Sequence, residues 1–251
     1  MPELIVLGTA ASVPDADHDT VALVLRGPGW AVPIDCGGSP LHRLARLDID
    51  LDDIRAVILT HRHADHLYGL PMLVQGLWLG GRAAHLPIYG PQEALTIARR
   101  LLGLFNLAER DDMFPIEWHP VPLREGRRVL EIEEVRVTSA PGVHANVEVL
   151  ALRFDNTATG RSIAYSSDTE PCEAVTRLAE GADLLIHEAT GSYEGHSSPA
   201  DAAEVAREAG VEQLVLIHYP VLGIDLDAWR QTAVGIPGQV RLAKEGDVYP
   251  L

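Results

Sequence analysis

Three histidines and an aspartate fall within the stretch Thr60-His61-Arg62-His63-Ala64-Asp65-His66, directly after the apolar run Ala56-Val57-Ile58-Leu59. Imidazole nitrogens and carboxylate oxygens are ligands for divalent metals. Packing does not explain four such groups at the mouth of a buried strand. His144, Asp168 and His218 occupy the same kind of position, at or just past the end of a strand-like run. Open α/β sheets hold their ligands in the crevice beyond those carboxyl ends. His61, His63, Asp65, His66, His144, Asp168 and His218 can therefore converge from four strand ends. Five imidazoles and two carboxylates suit two divalent metal ions, Zn²⁺ by donor type, with Mn²⁺ or Fe as alternatives. Two such ions about 3.5 to 4 Å apart hold a bridging hydroxide near neutral pH, able to attack phosphorus or a carbonyl carbon.

The elements that must carry these residues can be read from the apolar pattern. Short runs at 4–9, 20–26 and 30–35, separated by turn-rich segments, predict a meander of three strands. Ser39-Pro40 opens a helix, with Leu41, Leu44, Ala45 and Leu47 on its buried face. A strand at 56–59, a helix or helical loop at 65–79, a strand at 86–89 and a helix from 91 to about 107 follow. Extended segments are expected at 114–121, 129–131, 135–139 and 147–154. Strands at 162–166, 183–186 and 213–217 then alternate with helices at 171–180 and 198–209. A helix at 225–234 and a strand at 240–243 finish the chain. This alternation in both halves suits two sheets covered by helices in one layered domain over 1–251.

The bulk composition excludes some classes. The chain has 251 residues, 47% hydrophobic and 22% charged, which is enough to bury a full core. No apolar run approaches the roughly 18 residues of a membrane span. The start, Met1-Pro2-Glu3-Leu4-Ile5-Val6, lacks the pattern of a signal peptide, so the cytoplasm is the expected location. Cys36 and Cys172 make no disulfide framework and are read as small buried hydrophobes. The net charge of −16 repels nucleic acid at long range, because affinity for it comes from Lys and Arg neutralising phosphates. A large nucleic acid is therefore disfavoured, and a small-molecule or short anionic substrate fits better.

The chain resembles the metallo-β-lactamase fold superfamily and, within it, the ribonuclease Z-like group. The stretches that carry the resemblance are Gly8-Thr9-Ala10-Ala11-Ser12-Val13-Pro14, Asp35-Cys36-Gly37, the histidine motif at 60–66, Gly69-Leu70-Pro71, Ser167-Asp168-Thr169, His187-Glu188-Ala189-Thr190, His196-Ser197-Ser198 and His218. The H-x-H-x-D-H motif is specific for the superfamily, and the others narrow the group. The resemblance implies an α/β fold, the four-layer αβ/βα sandwich of two mixed sheets flanked by helices. It implies that His61, His63 and His144 bind one metal, that Asp65, His66 and His218 bind the second, and that Asp168 bridges them. It also places His196 beside the site. One departure is clear: ribonuclease Z carries a tRNA-gripping arm between the residues matching His144 and Asp168. Here those two are 24 positions apart, filled by two strands and a turn, with no room for an arm.

Asp65 is the candidate for orienting the nucleophile and accepting its proton, and His196 for protonating the leaving group. A solvated loop histidine before the helix at Ser198 is the other reading of His196, and a turn or helix-capping aspartate that of Asp168. Asp35 is either an acceptor from a ligating imidazole or a turn residue. His187 is read as a hydrogen-bonded structural histidine, and Glu188 as a partner of the site. Thr9 and Ser12 could cradle a phosphate or form a tight turn. His18, His42, His85 and His119 are read as surface residues. Tyr68, Leu70, Trp78, Tyr193 and Tyr219 are candidate pocket walls.

The expected function is a dinuclear metal-dependent hydrolase, foremost a phosphodiesterase on a small or medium anionic ester. Hydrolysis of a lactone, thioester or other acyl ester, and ribonuclease Z-type tRNA 3′ processing, are the alternatives. Exposed apolar surface at 101–107 could support a homodimer.

Overall fold

Leu4 and Val6 pack into one apolar cluster, while the intervening Ile5 and Leu7 pack into another. Their strand, β1 (Glu3–Gly8), is thus covered on both faces, which is why it reads as an unbroken apolar run. The same division recurs in the second half, in β11 (Leu184–Glu188) and β12 (Gln213–Ile217). There Ile186 and Val215 face the first cluster, and Leu185 and Leu214 a third. This computed structural model describes residues 1–107, 110–236 and 239–251.

The first sheet begins with an antiparallel meander of β1, β2 (Ala22–Gly27) and β3 (Trp30–Ile34). It continues in parallel through β4 (Val57–Ile58), β5 (Leu86–Gly90) and β6 (Ile116–Pro120). The second sheet repeats this plan. β7 (Arg127–Ile132), β8 (Val135–Pro141), β9 (Leu150–Asn156) and β10 (Ser162–Tyr165) are antiparallel neighbours. β11, β12 and β13 (Gln239–Leu242) add to β10 in parallel.

Parallel neighbours need a crossover, and here each crossover contains a helix. α1 (Pro40–Arg46) joins β3 to β4, α2 (Ala64–Leu67) and α3 (Leu70–Leu79) join β4 to β5, and α4 (Gln92–Leu104) joins β5 to β6. α5 (Glu173–Ala179), α6 (Pro199–Glu208) and α7 (Leu226–Gln231) do the same across β10 to β13. The helices cover the outer face of each sheet, and the inner faces share one core. The result is a four-layer αβ/βα arrangement of two mixed seven-stranded sheets.

Three details differ from the sequence reading. The chain does not end at β13: β14 (Val248–Pro250) returns and pairs antiparallel with β1. The helical segment expected at 65–79 is two helices, because Pro71 has no N–H for a continuing ladder and sits in the first turn of α3. In α1, Ala45 is exposed and Leu44 carries the burial. Among the described residues no helix is long and apolar enough to cross a membrane. Cys36 is buried and Cys172 half-buried. Near the end of α4, Leu102 and Leu107 are buried, while Leu104 and Phe105 are exposed.

Candidate metal centre

The parallel halves of the two sheets direct their carboxyl ends into one cleft. His61 and His63 follow β4, and Asp65 and His66 lie in α2. His144 lies between β8 and β9, Asp168 follows β10, and His218 immediately follows β12. Three of these turns, and one beside them, need an uncommon backbone. Asp35, Ala145, Ser167 and His218 have φ of 60°, 47°, 52° and 51°, in the left-handed region that non-glycine residues avoid. Each costs about 1 kcal/mol or more and persists where surrounding contacts impose it.

Asp168 Oδ2 stands at the middle. It is 3.5 Å from His66 Nε2 and from His218 Nε2, 3.7 Å from His61 Nε2 and 3.9 Å from His144 Nε2. His63 Nδ1 approaches His144 Nε2 at 3.0 Å, and Asp65 Oδ2 lies 3.4 Å from His218 Nε2. Ligand atoms of His61, His63, His144 and Asp168 lie within 4.8 Å of one another, as do those of Asp65, His66 and His218. Asp168, His196 and His218 form a third such group. All seven residues singled out in the sequence thus come together, as do Asp35, Glu188 and His196.

The buried polar atoms test whether a cation fits. His61 Nε2, His66 Nε2 and Asp168 Oδ1 have no hydrogen-bond partner although all three residues are fully buried. Leaving such atoms unmatched costs about 1 to 3 kcal/mol each, and a divalent ion satisfies such donors. Burial would raise the Asp168 carboxyl, but the charges of His218 and His66 win and hold it well below the usual carboxylate range. Burial likewise opposes, and the His218 hydrogen bond and the His66 charge outweigh it, so Asp65 also stays ionised. Burial, followed by the charge of His66, pushes His61 well below its ordinary value. Burial and His144 lower His63. Neutral His61 and His63 beside ionised carboxylates are ligand states that metal binding needs. Against burial, by contrast, the charges of Asp168 and Asp35 raise His66 and that of Asp168 raises His218, and a metal ion would displace those protons.

The outer nitrogens are held in ways the sequence only partly disclosed. Asp35 Oδ2 accepts from His66 Nδ1 at 2.8 Å, which settles its role as an acceptor from an imidazole. The same oxygen accepts from the Thr60 hydroxyl at 2.7 Å, and that hydroxyl lies 3.1 Å from His61 Nδ1. His144 Nδ1 donates to the Gly195 carbonyl at 2.6 Å, and His218 Nδ1 donates to the Thr190 hydroxyl at 2.7 Å. Each bond fixes the proton on Nδ1 and leaves Nε2 facing the centre. Thr60, Thr190 and Gly195 were not assigned these parts from the sequence. Their clue was adjacency to the motifs, which cannot say which atom reaches which ring.

Glu188 is buried inside the site. Its Oε1 accepts from His196 Nδ1 at 2.9 Å and from the Thr169 amide, and its Oε2 accepts from the Thr190 amide. Burial lowers the His196 pKa, but the bond to Glu188 and its charge prevail and raise it. His187, one residue earlier on β11, points the other way and is fully buried. Ser12 donates to Asp65 Oδ2 at 2.7 Å, so of the two residues considered for a phosphate cradle it is bound into the site. Thr9 is buried in the turn.

The remaining residues divide. His42 and His85 are exposed. His18 is half-buried, bonded to Asp15, and His119 is half-buried, stacked on Tyr89. Of the candidate pocket walls, Leu70 and Tyr219 are core residues and Trp78 packs within the helix layer under Arg110. Tyr68 and Tyr193 are exposed.

Comparison with known proteins agrees with the fold. The chain matches the profile of the Beta-lactamase superfamily domain over residues 27–219. It is 32% identical to a ribonuclease Z of Methanothermobacter thermautotrophicus, over 92% of this chain and 92% of that one. Its fold superposes on the metallo-beta-lactamase fold protein YhfI from Bacillus subtilis with a TM-score of 0.82 at 24% identity, covering 99% of this chain and 98% of that one. It superposes on a diphosphatase from the PhnP family with a TM-score of 0.78 at 20% identity, covering 100% and 98%.

Proposed function

The chain is a metal-dependent hydrolase that belongs to the beta-lactamase superfamily and its ribonuclease Z-like group, and we propose that it is a dinuclear phosphodiesterase acting on a small or short anionic ester. In this reading His61, His63 and His144 would hold one divalent ion, Asp65, His66 and His218 would hold the second, and Asp168 would serve both. The observation that carries it is the position of Asp168 Oδ2, within 3.9 Å of four imidazole nitrogens drawn from both groups. A nitrogen-rich donor set with two carboxylates fits Zn²⁺. When bound, the ions would supply Lewis acidity for the attacked group and lower the pKa of the attacking water.

The residues of the chain do the rest. Asp65 orients the nucleophile and accepts its proton, and the Ser12 hydroxyl fixes the angle of that carboxylate. His196 donates to Glu188 through Nδ1, and its raised pKa favours a second proton on Nε2. That proton goes to the leaving alkoxide.

The chain lacks internal segments that its archaeal relative has. The alignment with the archaeal ribonuclease Z runs over 291 positions, whereas 92% of this 251-residue chain is about 231 residues, so roughly 60 positions of that relative have no counterpart here. Between His144 and Asp168 there is room only for β9, β10 and their turns. The 32% identity to a ribonuclease Z supports tRNA 3′ processing as the second reading. A rate comparison of the metal-loaded protein on bis(p-nitrophenyl) phosphate, a lactone, a thioester and a 3′-extended tRNA tests the proposal. Fastest turnover of the small diester is expected, and preferred cleavage of the tRNA would install the second reading instead.

A further inference from the structure

Five loops around the metal centre each leave a large apolar side chain exposed. Val13 follows Ser12, whose hydroxyl holds Asp65. Tyr68 lies two residues past His66, Val143 precedes His144, and Leu222 lies four residues past His218. Tyr193 sits on the loop whose Gly195 carbonyl holds His144, and its own carbonyl accepts the His196 amide. Exposure runs from 45% at Val143 to 69% at Tyr193. Single exposed apolar residues need no explanation, but five on the segments that carry the site residues do.

Charge on the same loops points the same way. Residues 11–17, 62–68, 142–149, 167–171, 190–196 and 219–225 contain one Lys or Arg, Arg62, and it is paired with Glu93 at 2.7 Å. Besides Asp65 and Asp168 these loops carry six carboxylates, Asp15, Asp17, Glu148, Glu170, Glu194 and Asp225. A polynucleotide needs a track of cations along its phosphates, and here it would meet segments of net negative charge. The adjoining cleft past Tyr219 holds Arg43, Arg46 and Lys244 against four carboxylates, and Arg43 is already tied to Asp19 and Glu245. It adds no net positive field.

We infer that the natural substrate is a phosphodiester with a single negative charge and at least one aryl or alkyl alcohol, which rests on the apolar rim. This deepens the phosphodiesterase reading and depends on it. Val13, Tyr68, Val143, Tyr193 and Leu222 are the specificity-determining residues. The two tyrosines offer rings against which an aryl group packs offset or edge-on.

The test holds the leaving group constant. Metal-loaded protein is given p-nitrophenyl phosphodiesters whose second alcohol is methyl, phenyl or the 5′-hydroxyl of thymidine. kcat/KM should rise about tenfold from methyl to phenyl, mainly through KM, because rim contacts are made equally in ground and transition states. The thymidine ester should fall below the phenyl ester. In the double variant Tyr68→Ala/Tyr193→Ala the phenyl-to-methyl ratio should drop toward one. Both side chains are exposed, and metal content together with Tm checks that the variant is folded. A flat series, an unchanged ratio in the variant, or a preference for the thymidine ester overturns the inference and leaves the phosphodiesterase reading standing. Failure of the metal-loaded protein to hydrolyse any of the three diesters overturns both.

Discussion

Asp35 Oδ2 accepts the His66 Nδ1 proton at 2.8 Å while the Asp35 Oδ1 atom holds the Thr60 amide at 2.7 Å. One buried carboxylate therefore supports a ring from each half of the centre: His66 directly and His61 through the Thr60 hydroxyl. Asp35→Ala should weaken metal retention about 10- to 100-fold, the usual loss when such a partner is removed. Metal content after dialysis against a graded chelator reads this. Wild-type retention in the variant would show that Asp35 only ends its strand.

Asp168→Ala and His63→Ala should differ. Asp168 lies among donors of both groups, whereas His63 approaches only the one that includes His144. The Asp168 variant should lose both ions and the His63 variant chiefly one, with diester hydrolysis abolished in each. Chelation of the wild-type protein should silence it, and readdition of Zn²⁺ should restore it. Elemental analysis per chain beside the rate decides the point, and full activity in chelated protein would sink the mechanism.

Glu188 sets the proton affinity of His196. The proposed acid, His196, would act in its protonated form, so activity should fall as pH rises through its pKa. Glu188 raises that pKa by its hydrogen bond and charge, against the lowering effect of burial. Glu188→Gln removes the charge and should move the alkaline limb of the pH profile to lower pH. His196→Ala should reduce kcat by about 10²- to 10⁴-fold. An unshifted limb in the Gln variant would remove His196 from the role of acid.

Gly195 is required by two separate constraints. Its φ is +84°, and a Cβ there would lie 2.8 Å from His144 Nδ1. Gly195→Ala should cost about 1 to 3 kcal/mol of stability through backbone strain and displace the ring that its carbonyl holds. A lower Tm together with reduced metal content is expected. A lower Tm with full metal content would limit the effect to the backbone.

Much of the centre was legible because its chemistry is local. His61, His63, Asp65 and His66 share one short motif, and His144, Asp168 and His218 stand where apolar runs stop, so ligand type and position beyond the strand ends followed from residue identity and period alone. The two-sheet layering followed likewise, since strands buried on both faces read as apolar runs and parallel neighbours demand crossover helices. What pairs with what was decided only in three dimensions. Nothing near Val248 announces that β14 closes against β1, because strand pairing is a long-range choice. The left-handed turns at Asp35, Ser167 and His218 are stabilised by contacts from other strands, and non-glycine residues give no sign of them in sequence. Thr60, Thr190 and the Gly195 carbonyl became supports for the clustered imidazole rings for the same reason: hydrogen bonds act over about 3 Å, and only the packed sheets bring those atoms within that reach.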